Sequence, residues 1–148
     1  VLSVSAAEED RNRRLLRARD LVDRRSTDPL DVDALAAVAL MARSHFIREF
    51  RATFGETPHR YLQRRRIERA MTLLRTTDTP VTDICMAVGF SSLGTFSRTF
   101  RDVVGTSPSA FRREADPATG FVPTAFRMRW TRPVGERGAK GVRPDRGP

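Results

Sequence analysis

The sequence predicts an all-α fold of seven helices. They form a bipartite domain of two helix-turn-helix subdomains joined by a long central helix, and a mostly irregular basic tail follows. Three observations carry this prediction. Apolar residues recur at helical spacing through most of residues 6–115. Thr or Ser stands directly before Pro at 57–58, 79–80 and 107–108, a pairing that opens helices because the hydroxyl accepts an orphan amide and proline suits the first turn. Residues 46–61 recur, without gaps, as residues 96–111. The implied boundaries are 6–57 for the first subdomain, 58–75 for the linker helix, 79–115 for the second subdomain and 116–148 for the tail.

Each element has its own warrant. From Ala6 to Arg25 the charge density is high, but Leu15, Ala18 and Val22 recur on one face of an amphipathic helix. After a turn at Ser26–Leu30, Asp31 is placed to cap a second helix that turns Val32, Leu35, Ala36 and Ala39 inward. A break at Leu40–Ala42 precedes a third helix, Arg43–Thr53, striped by Phe46, Ile47, Phe50 and Phe54, and Gly55 closes it as a left-handed cap. Thr57-Pro58 opens the central helix, which runs to Arg75 with Tyr61, Leu62, Ile67, Ala70, Met71 and Leu74 inward. Thr79-Pro80 opens a fifth helix carrying Val81, Ile84, Cys85 and Val88. Gly89-Phe90 marks a turn, and Ser91 or Ser92 caps a sixth helix with Leu93, Phe96, Phe100 and Val103 or Val104 on its inner face. Gly105 ends it, and Ser107-Pro108 starts a short seventh helix through Phe111 to Ala115. Residues 116–148 hold five Gly, five Pro and seven basic against three acidic residues without sustained period, which reads as a flexible tail. Phe121, Phe126 and Trp130 are its candidate docking residues.

Composition narrows the partner. The formal charge is +9 on 148 residues, and Arg far outnumbers Lys. Such an excess points to a polyanion, either nucleic acid or an anionic membrane surface. The membrane reading fails because the apolar faces are all needed for packing. No apolar run approaches the length of a membrane span, and no signal peptide is visible. The lone Cys85 excludes an intrachain disulfide and fits a reducing cytoplasm. His45 and His59 have no Cys or acid at ligand spacing, so neither a metal nor a cofactor is expected. Cys85, beside Ile84 and Val88 on an inward face, reads as a packed thiol rather than a nucleophile. The run Arg64-Arg65-Arg66 reads first as a solvated face, with Arg66 set on the side of Ala70 as a bridge between the subdomains.

The repeat is the most informative feature. Phe46/Phe96, Arg48/Arg98, Phe50/Phe100, Arg51/Arg101, Gly55/Gly105 and Pro58/Pro108 are identical at an offset of 50. Thr57/Ser107 and Tyr61/Phe111 are conservative pairs. Each copy follows a short helix and a tight turn, with Leu35 and Ile84 in comparable places. Helix, turn and helix, twice, with Arg on the outer face of each second helix, describe two helix-turn-helix units. A duplicated hairpin with a purely structural role would leave the charge and the outward Arg pair unexplained.

These residues resemble the DNA-binding domain of the AraC/XylS family of transcription regulators. The second unit carries the signature in Ile84-Cys85, Val88-Gly89-Phe90, Phe96-Ser97-Arg98, Phe100-Arg101, Gly105 and Ser107-Pro108 through Phe111-Arg112. Tyr61-Leu62, Arg66, Ala70 and Leu73-Leu74 are similar to the family's central helix, and the likeness spans residues 10–115. It departs where Cys85 replaces the usual Ala, where Ala42 stands in place of a Ser cap, and where the first turn has no glycine. Gly94 takes a position that often carries a long contacting side chain. A missing cap costs about 1 kcal/mol, so the first unit is expected to start its reading helix more loosely.

The resemblance implies a transcription regulator, not an enzyme, that places two recognition helices in successive major grooves of double-stranded promoter DNA. Ser44, Ile47 and Arg48 match the family's base-reading positions in the third helix, and Gly94, Thr95, Ser97 and Arg98 form the matching strip in the sixth. Arg43, Arg51 and Arg101 are the expected phosphate contacts, joined by Thr82 and the amides near Pro80. Ile47 either meets a thymine methyl or widens the core stripe, and Arg98 either reads guanine or pairs with Asp102 at i+4. The two strips differ, so an asymmetric site is expected, and one monomer suffices to cover about 20 base pairs. RNA polymerase is the partner implied for an activator. No stretch is left over for the effector-binding or dimerisation domain that many members carry. Rival readings are an architectural binder indifferent to sequence and a fragment of an alkyl-transferring DNA repair enzyme.

Overall fold

The computed structural model describes residues 5–115, and these form seven helices with no strand among them. They are α1 (Ala6–Arg25), α2 (Val32–Val38), α3 (Arg43–Phe54), α4 (Pro58–Thr76), α5 (Val81–Ala87), α6 (Leu93–Val104) and α7 (Pro108–Glu114). The expected tail, with Phe121, Phe126 and Trp130, lies outside the described residues. The chain divides into two compact units. One holds α1 and Leu30–Tyr61, the other holds Ser26–Pro29 and the described residues from Leu62 onward.

In the first unit α1, α2 and α3 pack on one another. Ser5 and Glu8 form a reciprocal capping box at the start of α1, Glu8 N donating to Ser5 Oγ at 3.1 Å and Ser5 N to Glu8 Oε1 at 3.2 Å. Leu15, Ala18, Val22, Leu35, Ala39, Phe46 and Phe50 are fully buried. Burying a side chain of the size of Leu or Phe contributes about 1.5–3 kcal/mol, so this cluster is the main source of the unit's stability. Phe50 lies at the centre of an aromatic series, 5.5 Å from Phe46, 4.6 Å from Phe54 and 5.8 Å from Tyr61. The Tyr61 hydroxyl donates to Asp23 Oδ1 at 2.6 Å, which satisfies its polar end while the ring stays buried.

The second unit is built the same way. Ile67, Ala70 and Leu74 of α4 pack with Ile84, Cys85, Val88, Phe90, Phe96, Phe100, Val103, Val104 and Phe111. The ring series recurs, with Phe96 5.8 Å from Phe100 and Phe100 5.7 Å from Phe111. Arg112 donates to Leu74 O and Thr77 O, satisfying carbonyls that α4 leaves open at its C-terminal end.

The repeat extends further than the gapless sixteen residues. Arg14, Leu15, Ala18 and Val22 on α1 have the same spacing as Arg66, Ile67, Ala70 and Leu74 on α4, and the six apolar members are all buried. The repeating element is therefore three helices long, α1–α3 and then α4–α6. Helix α4 closes the first copy with Tyr61 and opens the second with Ile67.

Three expectations are corrected. Leu93, placed on the inner face of α6, is 45% exposed, because it is the first helical residue and the inward stripe begins only at Phe96. Thr79 does not cap α5; Pro80 occupies the cap position and no side chain accepts there. In α4 and α7 the hydroxyl residue is itself the cap and its oxygen meets the amide three residues on, as Thr57 meets Arg60 N and Ser107 meets Ala110 N. At α5 the threonine is one residue too early for that bond. The arginine run is not a solvated face. Arg64 is fully buried and Arg66 is 8% exposed, because each has acceptors to meet: Glu68 for Arg64, and Ser26 O (2.7 Å) and Asp28 O (2.8 Å) for Arg66. Burial disfavours the charged form of Arg66 and lowers its pKa from the ordinary guanidinium value, yet an arginine keeps its proton throughout the accessible range.

The two turns preceding α3 and α6 make a matched pair of hydrogen bonds. Leu40 N meets Ala37 O and Met41 N meets Ala36 O, both at 3.0 Å, while Gly89 N meets Met86 O and Phe90 N meets Cys85 O, both at 3.1 Å. Gly89 has φ +106° and its counterpart Leu40 has φ +57°, the one described non-glycine residue in that region. A β-carbon there costs about 1–2 kcal/mol. Leu40 is 71% exposed, so its side chain contributes little burial in return. Leu40→Gly is therefore expected to raise stability by about 0.5–1 kcal/mol, read as a higher urea midpoint at unchanged slope. A lower midpoint would show that the leucine side chain matters more than the backbone strain.

Candidate nucleic-acid interface

The second helices of the two units present faces with the same pattern of exposure. In α3, Arg43, Ser44 and His45 are exposed, Phe46 is buried, Ile47 is half-buried, Arg48 is exposed and Phe50 is buried. In α6, Leu93, Gly94 and Thr95 are exposed, Phe96 is buried, Ser97 is half-buried, Arg98 is exposed and Phe100 is buried. The phenylalanines fix this pattern: with Phe46, Phe50 and Phe54 packed inward, helical geometry leaves Ser44, Ile47, Arg48 and Arg51 on the outer side. The same holds in α6 for Gly94, Thr95, Ser97, Arg98 and Arg101. The base-reading candidates thus fall on one strip per unit. Ile47 is half-buried, as is Ser97, its counterpart.

Several arginines elsewhere are held in ion pairs, and most of those on the strips are not. Arg11 lies 3.3 Å from Glu49, Arg14 3.1 Å from Asp10 and Arg64 2.8 Å from Glu68. Arg48, Arg51, Arg98 and Arg101 have no ion pair or hydrogen bond among the described residues, and Arg98 does not pair with Asp102. Arg43 pairs with Asp33 at 2.9 Å, but both side chains are well exposed, and such a pair contributes at most about 1 kcal/mol. Thr82 is exposed in the first turn of α5. A row of uncompensated guanidiniums on one helix face attracts anionic groups and supplies the forked donors that phosphates and guanine edges accept.

The helix starts are unequal. Ser92 caps α6, its Oγ accepting from Thr95 N at 3.3 Å, whereas Ala42 offers α3 no side-chain acceptor. Both helices nonetheless run twelve residues and end in a left-handed glycine, Gly55 at φ +87° and Gly105 at φ +97°. Cys85 is buried, its Sγ 3.9 Å from Phe90 O, and burial pushes the thiol pKa up. A thiol so placed is protonated near neutral pH and is a poor nucleophile. Among the described residues no helix is long and apolar enough to cross a membrane.

Two helix-turn-helix units, each with a basic outer strip on its second helix, place the chain among the helix-turn-helix proteins. A family model described as a helix-turn-helix domain matches residues 35–114. The regulatory protein SoxS of Salmonella typhimurium is 35% identical over 91 residues, covering 62% of this chain and 85% of SoxS. The probable transcriptional regulator LumQ of Photobacterium leiognathi is 35% identical over 83 residues, 56% of this chain but 34% of LumQ, so the chain spans about a third of that relative's length. Among solved structures, the DNA-binding domain of AdpA, a global transcriptional factor in complex with a target DNA, matches at a TM-score of 0.64 and 33% identity over 67% of this chain and 89% of that one. A probable AraC family transcriptional regulator from Rhodopseudomonas palustris matches at 0.64 and 27% identity, over 71% and 99% of the two chains. The chain belongs to the AraC family of helix-turn-helix transcription regulators.

Proposed function

We propose that this chain is a sequence-specific regulator module that binds double-stranded promoter DNA by setting α3 and α6 into successive major grooves. The observation that carries the reading is the pair of matched outer strips, each with arginines that no acid of the described residues neutralises. The likeness to a domain solved on its target DNA supports it. Ser44, Ile47, Arg48, Thr95, Ser97 and Arg98 would face base edges, with Gly94 allowing close approach of the backbone. Arg43, Arg51, Arg101 and Thr82 would hold phosphates. The functional division follows residues 6–57, 58–75 and 79–115. The buried, protonated Cys85 argues against alkyl transfer and for a binding role without a reaction of its own.

The test is selection of bound sequences from a random DNA library by the wild-type chain and by Arg48→Ala. A defined, asymmetric preference that relaxes at one position in the variant is expected. Equal affinity for selected and random DNA at fixed salt would favour an architectural binder, and a strictly two-fold site occupied only by dimers would overturn the monomer reading. The phosphate assignments have their own readout. Arg51→Ala and Arg101→Ala should each weaken all sequences alike and lower the slope of log affinity against log salt by about one. Position-dependent losses in either variant would move that arginine to the base-reading group.

A further inference from the structure

In the second unit the start of the reading helix is fixed by local chemistry: Gly89 takes the left-handed turn without strain, and Ser92 caps α6. The first unit has neither device, since Leu40 occupies the left-handed position and Ala42 cannot cap. The turn hydrogen bonds nevertheless match those of the second unit, and α3 begins with Phe46 N 2.8 Å from Ala42 O, against 3.0 Å between Phe96 N and Ser92 O. Something outside the turn must hold it.

The group in place is the guanidinium of Arg14. Its Nη1 donates to Ala39 O at 3.2 Å and to Leu40 O at 3.1 Å, two consecutive carbonyls of the turn itself. Its Nε stands 3.1 Å from Asp10 Oδ2, a charge contact one turn back on α1 without an aligned hydrogen bond. Arg66, the counterpart in the repeat, does something different. It donates to Ser26 O and Asp28 O, and its guanidinium packs 2.8 Å from where a β-carbon on Gly89 would stand. With glycine in the turn, the arginine is free to pack across it and bond elsewhere. With leucine in the turn, the arginine bonds the turn's carbonyls.

We infer that Arg14 is a positioning residue for DNA reading: from α1 it latches the α2–α3 turn and sets the start of α3, standing in for the glycine and the cap that this turn lacks. The inference rests on the reading of α3 as a base-reading helix. It concerns the first unit alone, which gives the test an internal control.

The test uses the full 148-residue chain with Arg14→Ala and Arg14→Lys, the latter keeping a donor within reach of the carbonyls. Two readouts are taken. Amide hydrogen exchange, without DNA, is expected to speed up at Met41 and Phe46 in Arg14→Ala while Phe90 and Phe96 keep their protection. Affinities for single base changes, measured well below the melting temperature, are expected to show about tenfold poorer discrimination in the half-site read by α3 and none in the half-site read by α6. Arg14→Lys should recover part of both, and so should Leu40→Gly added to Arg14→Ala. Unchanged exchange at Met41 and Phe46 would overturn the latch whatever the DNA shows, and equal losses at both half-sites would reduce Arg14 to a general stabiliser. Selective loss of protection in a protein whose wild type shows no base discrimination through α3 would overturn the base-reading assignment, and the positioning role with it.

Discussion

Arg98→Ala is expected to weaken binding to the preferred site by about 1–3 kcal/mol, and to do so unevenly. At 25 °C that range corresponds to roughly 5- to 150-fold in affinity. The size follows from the site: Arg98 is exposed on the outer strip of α6, four residues before Asp102 but not paired with it, so no internal bond has to break before its fork meets a base. A guanidinium reading guanine O6 and N7 loses both bonds when truncated, and the loss appears only where guanine stood. Binding curves against the selected site and its single-base variants make the check. In Arg98→Ala, one position should lose its preference while the others keep theirs. A uniform loss across all variants, with a shallower salt dependence, would assign Arg98 to phosphate instead.

The largest expected effect on stability is at Gly89. Gly89→Ala places a β-carbon on a residue with φ +106°, and that atom would lie 2.8 Å from Arg66 Nε and 3.1 Å from its Cζ. The backbone cost is about 1–2 kcal/mol and overfilling a packed site adds about 1–3 kcal/mol, for a total of about 2–5 kcal/mol. Arg66 cannot simply swing away, because its donors hold Ser26 O and Asp28 O and a buried guanidinium without partners is costly. Gly94→Ala is the matched control. Gly94 is in the first turn of α6, its β-carbon would meet only Ser92 Oγ at 3.8 Å, and replacing this helical glycine by alanine should stabilise by up to about 0.5–1 kcal/mol. Urea unfolding of the two variants should therefore move the midpoint in opposite directions. A Gly89→Ala loss of only about 1–2 kcal/mol, the backbone share alone, would mean that Arg66 is not fixed as described.

The helices were legible because their signals are local. Apolar spacing, hydroxyl-proline starts and closing glycines each act within a few residues, and they place α3 and α6 to within a residue of their observed limits. The outer strips followed from the phenylalanines. Where the reading went astray, the deciding partner is distant in sequence. Nothing near Arg66 announces the carbonyls of Ser26 and Asp28, and nothing near Leu40 announces Arg14. Arg64 reads as solvent-facing because a run of charge looks the same whether or not an acceptor comes to meet it. Leu93 misled in the opposite way, an apolar residue in the first turn where the inward stripe has not yet begun. The Ser5–Glu8 capping box was there to be read, and so was the spacing shared by Arg14, Leu15, Ala18 and Val22 with Arg66, Ile67, Ala70 and Leu74.

Because α4 ends one copy of the repeat and begins the next, no loop separates the two copies, and the boundary at Tyr61–Leu62 falls inside a continuous helix. Neither copy can be excised, exchanged or grafted by cutting at a linker, as modular domains usually can. A natural recombination or an engineered chimera that swaps one reader for another must preserve the helical phase through α4, or the buried residues on either side of the joint turn to the wrong faces. Binding specificity in such a chain is free to change by substitution on the outer strips and is restricted in changing by shuffling.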